Sequence, residues 1–455
     1  MRFARLRGAA SYNRSLLISL ALLAAITFDA GAIAQTSATL NALGPHPFGS
    51  PRNLAAAQFV AAKLQEAGLA QTTVEEFAFE GSAGTNVVAN LPGRSDRLII
   101  IAAHHDSKKD AQDVSGRSRS LALLIEIGRQ ASKLRPAKTW ILASFDGGES
   151  KGEGFARYLE TLGKSRDLVD GVVILDASPL RDSPTEPSLI APACANGVPS
   201  DRRGIAGRDL VAAAVNGVPS TLDISFDDPG ISLLTQPFIR AFRTDCDPLA
   251  ARAMAAGLGV IQVADASFSR SFLSRGGITP PKDPALRDNE AARLGEVAFG
   301  AIQGIDAWSP SAPRSDSWLV VGRSVWSGWL IFLIGVLTLV PALVALRSDG
   351  TKLALRVVHG AIFTVTLYYE PEVALFSLAL PNLLPPSASK KYLTLALLPF
   401  VLLVAAGALC FIRGQVTGSW LSVWIWAGLL SSVAALYLTP GGGRKALSRS
   451  KKGKR

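Results

Sequence analysis

An α/β sandwich around a mostly parallel central sheet, followed by a C-terminal transmembrane helical region, is the architecture this sequence predicts. Three observations carry it. Between residues 35 and 312, short apolar runs alternate with helix-length stretches, the pattern of strands joined by packing helices. Farther on, Val325 to Leu346, Tyr392 to Ile412 and Ser419 to Leu438 each offer about the 20 apolar residues of a bilayer span. Finally, only 18% of the 455 residues are charged, against about 25% in an ordinary soluble protein. The composition excludes disordered, collagen-like and small disulfide-scaffold classes. The formal charge of +11 has no bearing on nucleic acid, because Arg2, Arg5, Arg7, Arg14 and seven basic residues from Arg444 onward account for it. The remainder is balanced, with 36 basic against 36 acidic residues, so the excess lies where membrane topology is decided.

The first element is a leader. A basic stretch precedes an apolar run, Leu16 to Phe28, and Ala32-Ile33-Ala34 follows before Gln35. This order describes either a cleavable signal peptide or an uncleaved signal anchor over residues 1–34. The globular domain is assigned to residues 35–307. Ser50-Pro51 sets a cap before a helix-opening proline, Leu54 to Ala67 runs at helical spacing, and Gly68 stops it. Val74 to Phe79 and Asn86 to Leu91 read as short strands. Leu98 to Ala103 is continuously apolar, as in a strand buried on both faces. A helix from Ser120 to Leu134, a strand Thr139 to Phe145, a helix Phe155 to Leu162 and a strand Val172 to Leu175 follow. A strand Val260 to Val263 and a helix Glu290 to Ala301 complete the domain. In such a fold, sites form at the carboxyl ends of the strands.

Residues 308–324 are assigned to a Pro/Ser-rich linker, 325–440 to four or five transmembrane helices, and 441–455 to a basic cytoplasmic tail. The uncertain stretch is Leu355 to Pro386, which Glu370-Pro371-Glu372 interrupts. As one span it gives four passes; as a hairpin it gives five and keeps Arg347, Lys352, Arg356, Lys390, Lys391 and the tail inside, as the positive-inside bias favours. Glu370 and Glu372 are solvated at such a loop tip, or functional at membrane depth. The expected location is the inner (plasma) membrane, multi-pass, with the globular domain on the periplasmic side. The lipid bilayer is therefore a partner, and nucleic acid is not. Cys194 and Cys246 would share the exported compartment, which permits a disulfide between them.

Several ordered blocks carry the chemistry: GPHPFGSPRNLAAAQFVAAKLQEAGL from Gly44, GTNVVANLPG, LIIIAAHHDS, LALLIEIGR, WILASFDGGES and VVILDASPL. Together, over roughly Leu43 to Ala301, they resemble the M28 family of zinc-dependent aminopeptidases, most of all members with a membrane-spanning C-terminal region. The resemblance implies two zinc ions bridged by a carboxylate and a glutamate general base. A metal pair of this kind lowers the pKa of the attacking water and holds the substrate carbonyl. It places a first metal-ligand histidine at His104 with its orienting acid at Asp106. Further metal ligands fall at Glu149 and Asp176.

The same alignment departs at three places. The general-base position is Gly148. The bridging position is Gly116, with Arg117 and Arg119 beside it and Asp113 as a substitute only if the loop changes length. The last ligand position is Cys246, which binds zinc, pairs with Cys194 or stays a buried thiol. His46 and His105 lie outside the ligand positions. Two function classes follow. One is a catalytically impaired peptidase-like protein that binds a peptide or protein or joins a membrane complex. The other is an active zinc aminopeptidase with an altered metal site.

Overall fold

The computed structural model describes residues 27–111, 114–177, 187–190, 194, 207–222, 224–226, 246–265, 284–309, 318–321 and 324–327. The chain divides into two compact units. In the first, the strands are β1 (Gln71–Phe79), β2 (Ser82–Leu91), β3 (Leu98–His104), β4 (Thr139–Phe145), β5 (Val169–Asp176), β6 (Pro187–Ile190), β7 (Ser225–Phe226) and β8 (Val260–Asp265). They form one sheet in the order β1-β2-β4-β3-β5-β8-β6-β7. The central pairs β4–β3, β3–β5 and β5–β8 are parallel. Antiparallel pairs flank them at β1–β2, β2–β4 and β6–β8. The sheet is thus mixed: the parallel character expected from the sequence holds through its middle, and the edge pair β6–β7 is parallel as well.

The middle is parallel because its strands are apolar on both faces. Ile99, Ile100, Ile101, Ala102 and Ala103 of β3 are all buried, and every residue of β5 is buried. Ile100, Ala102, Ile141, Ala143, Val172 and Ile174 pack under α4 (Glu153–Leu162) and α6 (Pro248–Ala255), around Phe155, Tyr158, Leu159 and Leu249. Alternation sends Ile99, Ile101 and Leu142 to the opposite face. That side is covered by α3 (Ser115–Ala131) and α7 (Pro284–Ala307). α5 (Arg208–Gly217) packs on α7, where Gly217 meets Gly300 and Gly304 so closely that a Cβ at any of them would strike backbone.

The helices begin where their caps lie. Ser50 Oγ accepts from Asn53 N at 3.2 Å and Pro51 opens α2 (Pro51–Glu66), as the sequence predicts. Asp247 Oδ1 accepts from Leu249 N at 2.8 Å and Pro248 opens α6. Asp29 Oδ1 does the same for α1 (Ala30–Asn41) through Ala32 N. α1 packs on α3 and α7, with Ile33 and Leu40 fully buried. The assigned boundary between residues 34 and 35 therefore falls inside a helix of the domain.

The far end of α7 is fixed to the sheet. The Asp306 carboxylate accepts from Ala137 N and Lys138 N, both at 2.8 Å, and from Trp140 Nε1 at 2.9 Å. Lys138 Nζ is buried and donates to the Ile305 carbonyl at 2.7 Å, beside the Asp170 carboxylate at 2.7 Å.

The described part of the second unit is an antiparallel hairpin, β9 (Trp318–Val321) with β10 (Ser324–Ser327). The segment assigned to linker thus holds a strand, and the first apolar stretch begins inside another. Among the described residues no helix is long and apolar enough to cross a membrane. The rest of the proposed spans, the tail and residues 1–26 lie outside the described residues.

Candidate functional site

Three neighbouring strand ends carry the site. β3 ends on His104, β5 ends on Asp176, and β4 runs into the turn Asp146-Gly147-Gly148-Glu149. His104 Nδ1 donates to Asp106 Oδ1 at 3.0 Å, and both side chains are buried. The same carboxylate accepts from Gly148 N at 2.7 Å and Glu149 N at 2.9 Å. Burial alone would push Asp106 up, but His104 and these backbone donors outweigh it and hold the carboxyl below its usual range. His104 is thereby oriented, and its Nε2 has no hydrogen-bond partner among the described residues.

Arg117 occupies the middle of the site. It stands at the third position of α3, a helix with no acidic residue in its first turn and no side-chain cap. A cation there opposes the positive end of the helix dipole. Carboxylates from the turn after β4 and the end of β5 compensate. Arg117 Nε donates to Glu149 Oε1 at 2.9 Å, a second guanidinium nitrogen lies 2.9 Å from that oxygen, and a third lies 3.6 Å from Asp176 Oδ1. Burial tends to lower the Arg117 pKa, yet the charges of Asp176, Glu149 and Asp247 raise it overall. Gln262 Nε2 donates to Asp176 Oδ2 at 3.3 Å from β8.

Asp247 joins the cluster from the start of α6. Its pKa is raised, chiefly by burial, and it feels the charges of His104, Asp176 and Arg117. Asp247 carries no role in the family resemblance, although its Asp-Pro step is a recognisable helix start. In sequence Arg117 is only a positive neighbour of the bridging position; its pairing with Glu149 and Asp176 is a matter of tertiary geometry.

The structure therefore brings His104, Asp106, Glu149 and Asp176 to one end of the sheet, but not as free ligands. Glu149 and Asp176 face a guanidinium. Cys246 is disulfide-bonded to Cys194, 52 residues away in sequence, so as a zinc ligand it is ruled out: a disulfide sulfur has no thiolate to offer. Gly116 lies beside Arg117 in the first turn of α3, and Asp113 lies outside the described residues. At Gly148 a Cβ would overlap the ring of His104, so this backbone leaves no space for a glutamate. Among the described residues no three His, Cys, Asp or Glu side chains could hold a metal ion together. The residues present do not fit a carboxylate-bridged pair of zinc ions.

Beneath the site lies a buried polar layer. His105 Nδ1 bonds Ser144 Oγ at 2.8 Å, and burial lowers its pKa to about 4. The Asp146 carboxylate accepts from Thr85 N at 3.0 Å and Gly147 N at 2.8 Å. Burial, then the nearby Asp106 charge, raises its pKa to about 6. His46 donates through Nδ1 to the Gly44 carbonyl at 2.6 Å, and its backbone N–H donates to Ser107 Oγ at 2.8 Å. These groups hold the loops that carry Asp106 and Glu149.

No family model matches the chain, and no curated protein matches it. Among solved structures it is similar to an aminopeptidase from Aneurinibacillus sp. strain AM-1, with 13% identity over 61% of this chain and 93% of that one, at a TM-score of 0.45. It is similar to the LapA aminopeptidase of Legionella pneumophila, with 12% identity over 64% and 74% and a TM-score of 0.44. A zinc aminopeptidase from Bacillus subtilis gives 11% identity over 60% and 94% and a TM-score of 0.45. Identities and scores at this level transfer no function.

Proposed function

We propose that this chain is a membrane-anchored M28 peptidase-like protein that does not run dinuclear zinc hydrolysis. Its globular domain works outside the cytoplasm by binding a peptide or protein or as a subunit of a membrane complex. The observation that supports this reading is Arg117. Its guanidinium pairs with Glu149 and Asp176, two of the positions that the family resemblance makes metal ligands, and supplies there the positive charge that a metal would. A second cation a few ångströms from this partly buried guanidinium is disfavoured. Removal of a general base alone lowers a rate by about 10²–10⁴, and here the Gly148 backbone also leaves no room for one. The apolar C-terminal stretches and the basic tail support the membrane location.

The second reading, hydrolysis at an altered metal site, draws on His104, which is buried, oriented by Asp106 and unpartnered at Nε2. Peptides with a free N-terminus, incubated with the purified full chain, separate the two readings. The proposal expects no turnover above background, and none with added zinc. Turnover that a chelator abolishes would establish the enzyme instead.

A further inference from the structure

The small-x-small sequences that follow the leader's apolar run, Ala30-Gly31-Ala32 and Ala32-Ile33-Ala34, both lie within α1. The residues ahead of them are built into the domain. Phe28 is buried and meets Phe299 edge-on at 5.9 Å, and Phe299 in turn meets Trp140 at 5.8 Å. The Thr27 carbonyl accepts from Gln130 Nε2 at 3.2 Å, and the Phe28 backbone bonds the Glu296 carboxylate. Ile33 is buried on the same side.

Gly295 gives an independent sign. It sits in the interior of α7, where a glycine is less favourable than alanine. A Cβ there would lie 2.6 Å from Phe28 Cδ1 and 2.8 Å from Phe28 Cε1. The helix thus carries a weak residue at the one place where the Phe28 ring needs space. Leu123 Cδ2 adds a third contact at 3.0 Å, but the two closest are lost from a chain from which Phe28 has been removed.

We infer that signal peptidase does not cut this chain at Ala32 or Ala34, and that residues 27–34 remain covalently part of the mature domain. The inference rests on the proposed export of the domain, since an unexported chain never meets that peptidase. A cut at Ala34 would remove Phe28 and Ile33, expose Phe299 and leave α1 seven residues long.

The full chain, expressed in a bacterial membrane and purified, is examined by mass spectrometry for its N-terminus. The inference expects a terminus at or before Thr27, with peptides that run through Ala32 and Ala34. A terminus at Ile33 or Gln35 overturns it. Protease added to intact spheroplasts reads the export step separately. Digestion of the domain supports export, whereas full protection overturns the export reading and the inference with it. Gly295→Ala gives a second readout on the same protein. With Phe28 in place the variant melts below the parent; adding Phe28→Ala removes the two closest contacts and leaves only Leu123 Cδ2 at 3.0 Å, so that Gly295→Ala lowers Tm less in that background than in the parent. A Gly295→Ala variant that melts above the parent shows that the ring is gone.

Discussion

At the scale of single residues, the site turns on one guanidinium. Arg117→Ala removes the guanidinium that Glu149 and Asp176 share. Glu149 is partly buried and Asp176 is buried, so the expected cost is on the order of 1–3 kcal/mol, between that of an exposed pair and that of a fully buried one. Urea unfolding of the full chain checks it. His105 and Asp146 make a second residue-scale prediction. His105 has a folded pKa of about 4, below its usual value, so its contribution to stability is lost as pH falls from about 6.5 to 4. Asp146 has a folded pKa of about 6, above its usual value, so its contribution is lost as pH rises from about 4 to 6. The two slopes oppose each other. Relative to the parent, Asp146→Asn should therefore make stability rise more steeply with pH across 4 to 6, and His105→Gln should make it fall. Each change amounts to about 3 kcal/mol over its window, read from unfolding curves at several pH values. His104, Asp106, Glu149 and Asp176 were legible in the sequence through the motifs that resemble the M28 family, which set them at or after the ends of apolar strands. The role of Arg117 was not, because it depends on where one helix starts and two separate strands end.

At the scale of elements, the β4–α4 turn explains why the site is not one substitution away from a catalytic arrangement. The Gly148 backbone lies against the His104 ring and donates to Asp106. Gly148→Glu with Gly116→Asp, the exchange that would refill both missing positions, should displace His104 or the turn. The expected result is a chain destabilised by about 1–3 kcal/mol, without hydrolysis; hydrolysis by the double variant would show that the turn can accommodate a general base. β3 and β4 were recognisable from unbroken apolar runs, and α2 from its Ser-Pro start. α5 and α6 were not. Arg208–Gly217 and Pro248–Ala255 are short and alanine-rich, and such segments become helices through packing more than through pattern. α1 was hidden for another reason: an apolar segment after a basic one reads as leader, whether or not its last turns belong to a domain.

At the scale of the whole molecule, two ties close long loops in the first unit. Asp306 and Lys138 join the end of α7 to β4 and β5, just before the chain enters the second unit. The Cys194–Cys246 disulfide spans 52 residues and places Cys246 next to Asp247. Loop closure over that span is worth about 4 kcal/mol in the unfolded state. Replacement of both cysteines by alanine should lower stability by up to that amount, whereas a loss of bound zinc on that replacement would mean that the thiols serve a metal. An oxidised pair also accords with an exported domain. The architecture as proposed is a binding domain held at a membrane, with an arginine where a hydrolase would carry its metal.

The zinc content of the purified full-length chain, measured by elemental analysis after dialysis against metal-free buffer, tests this most directly. The arginine-centred site predicts no stoichiometric zinc. One or two tightly held ions per chain would contradict it, since Glu149 and Asp176 cannot serve a metal pair while Arg117 holds them.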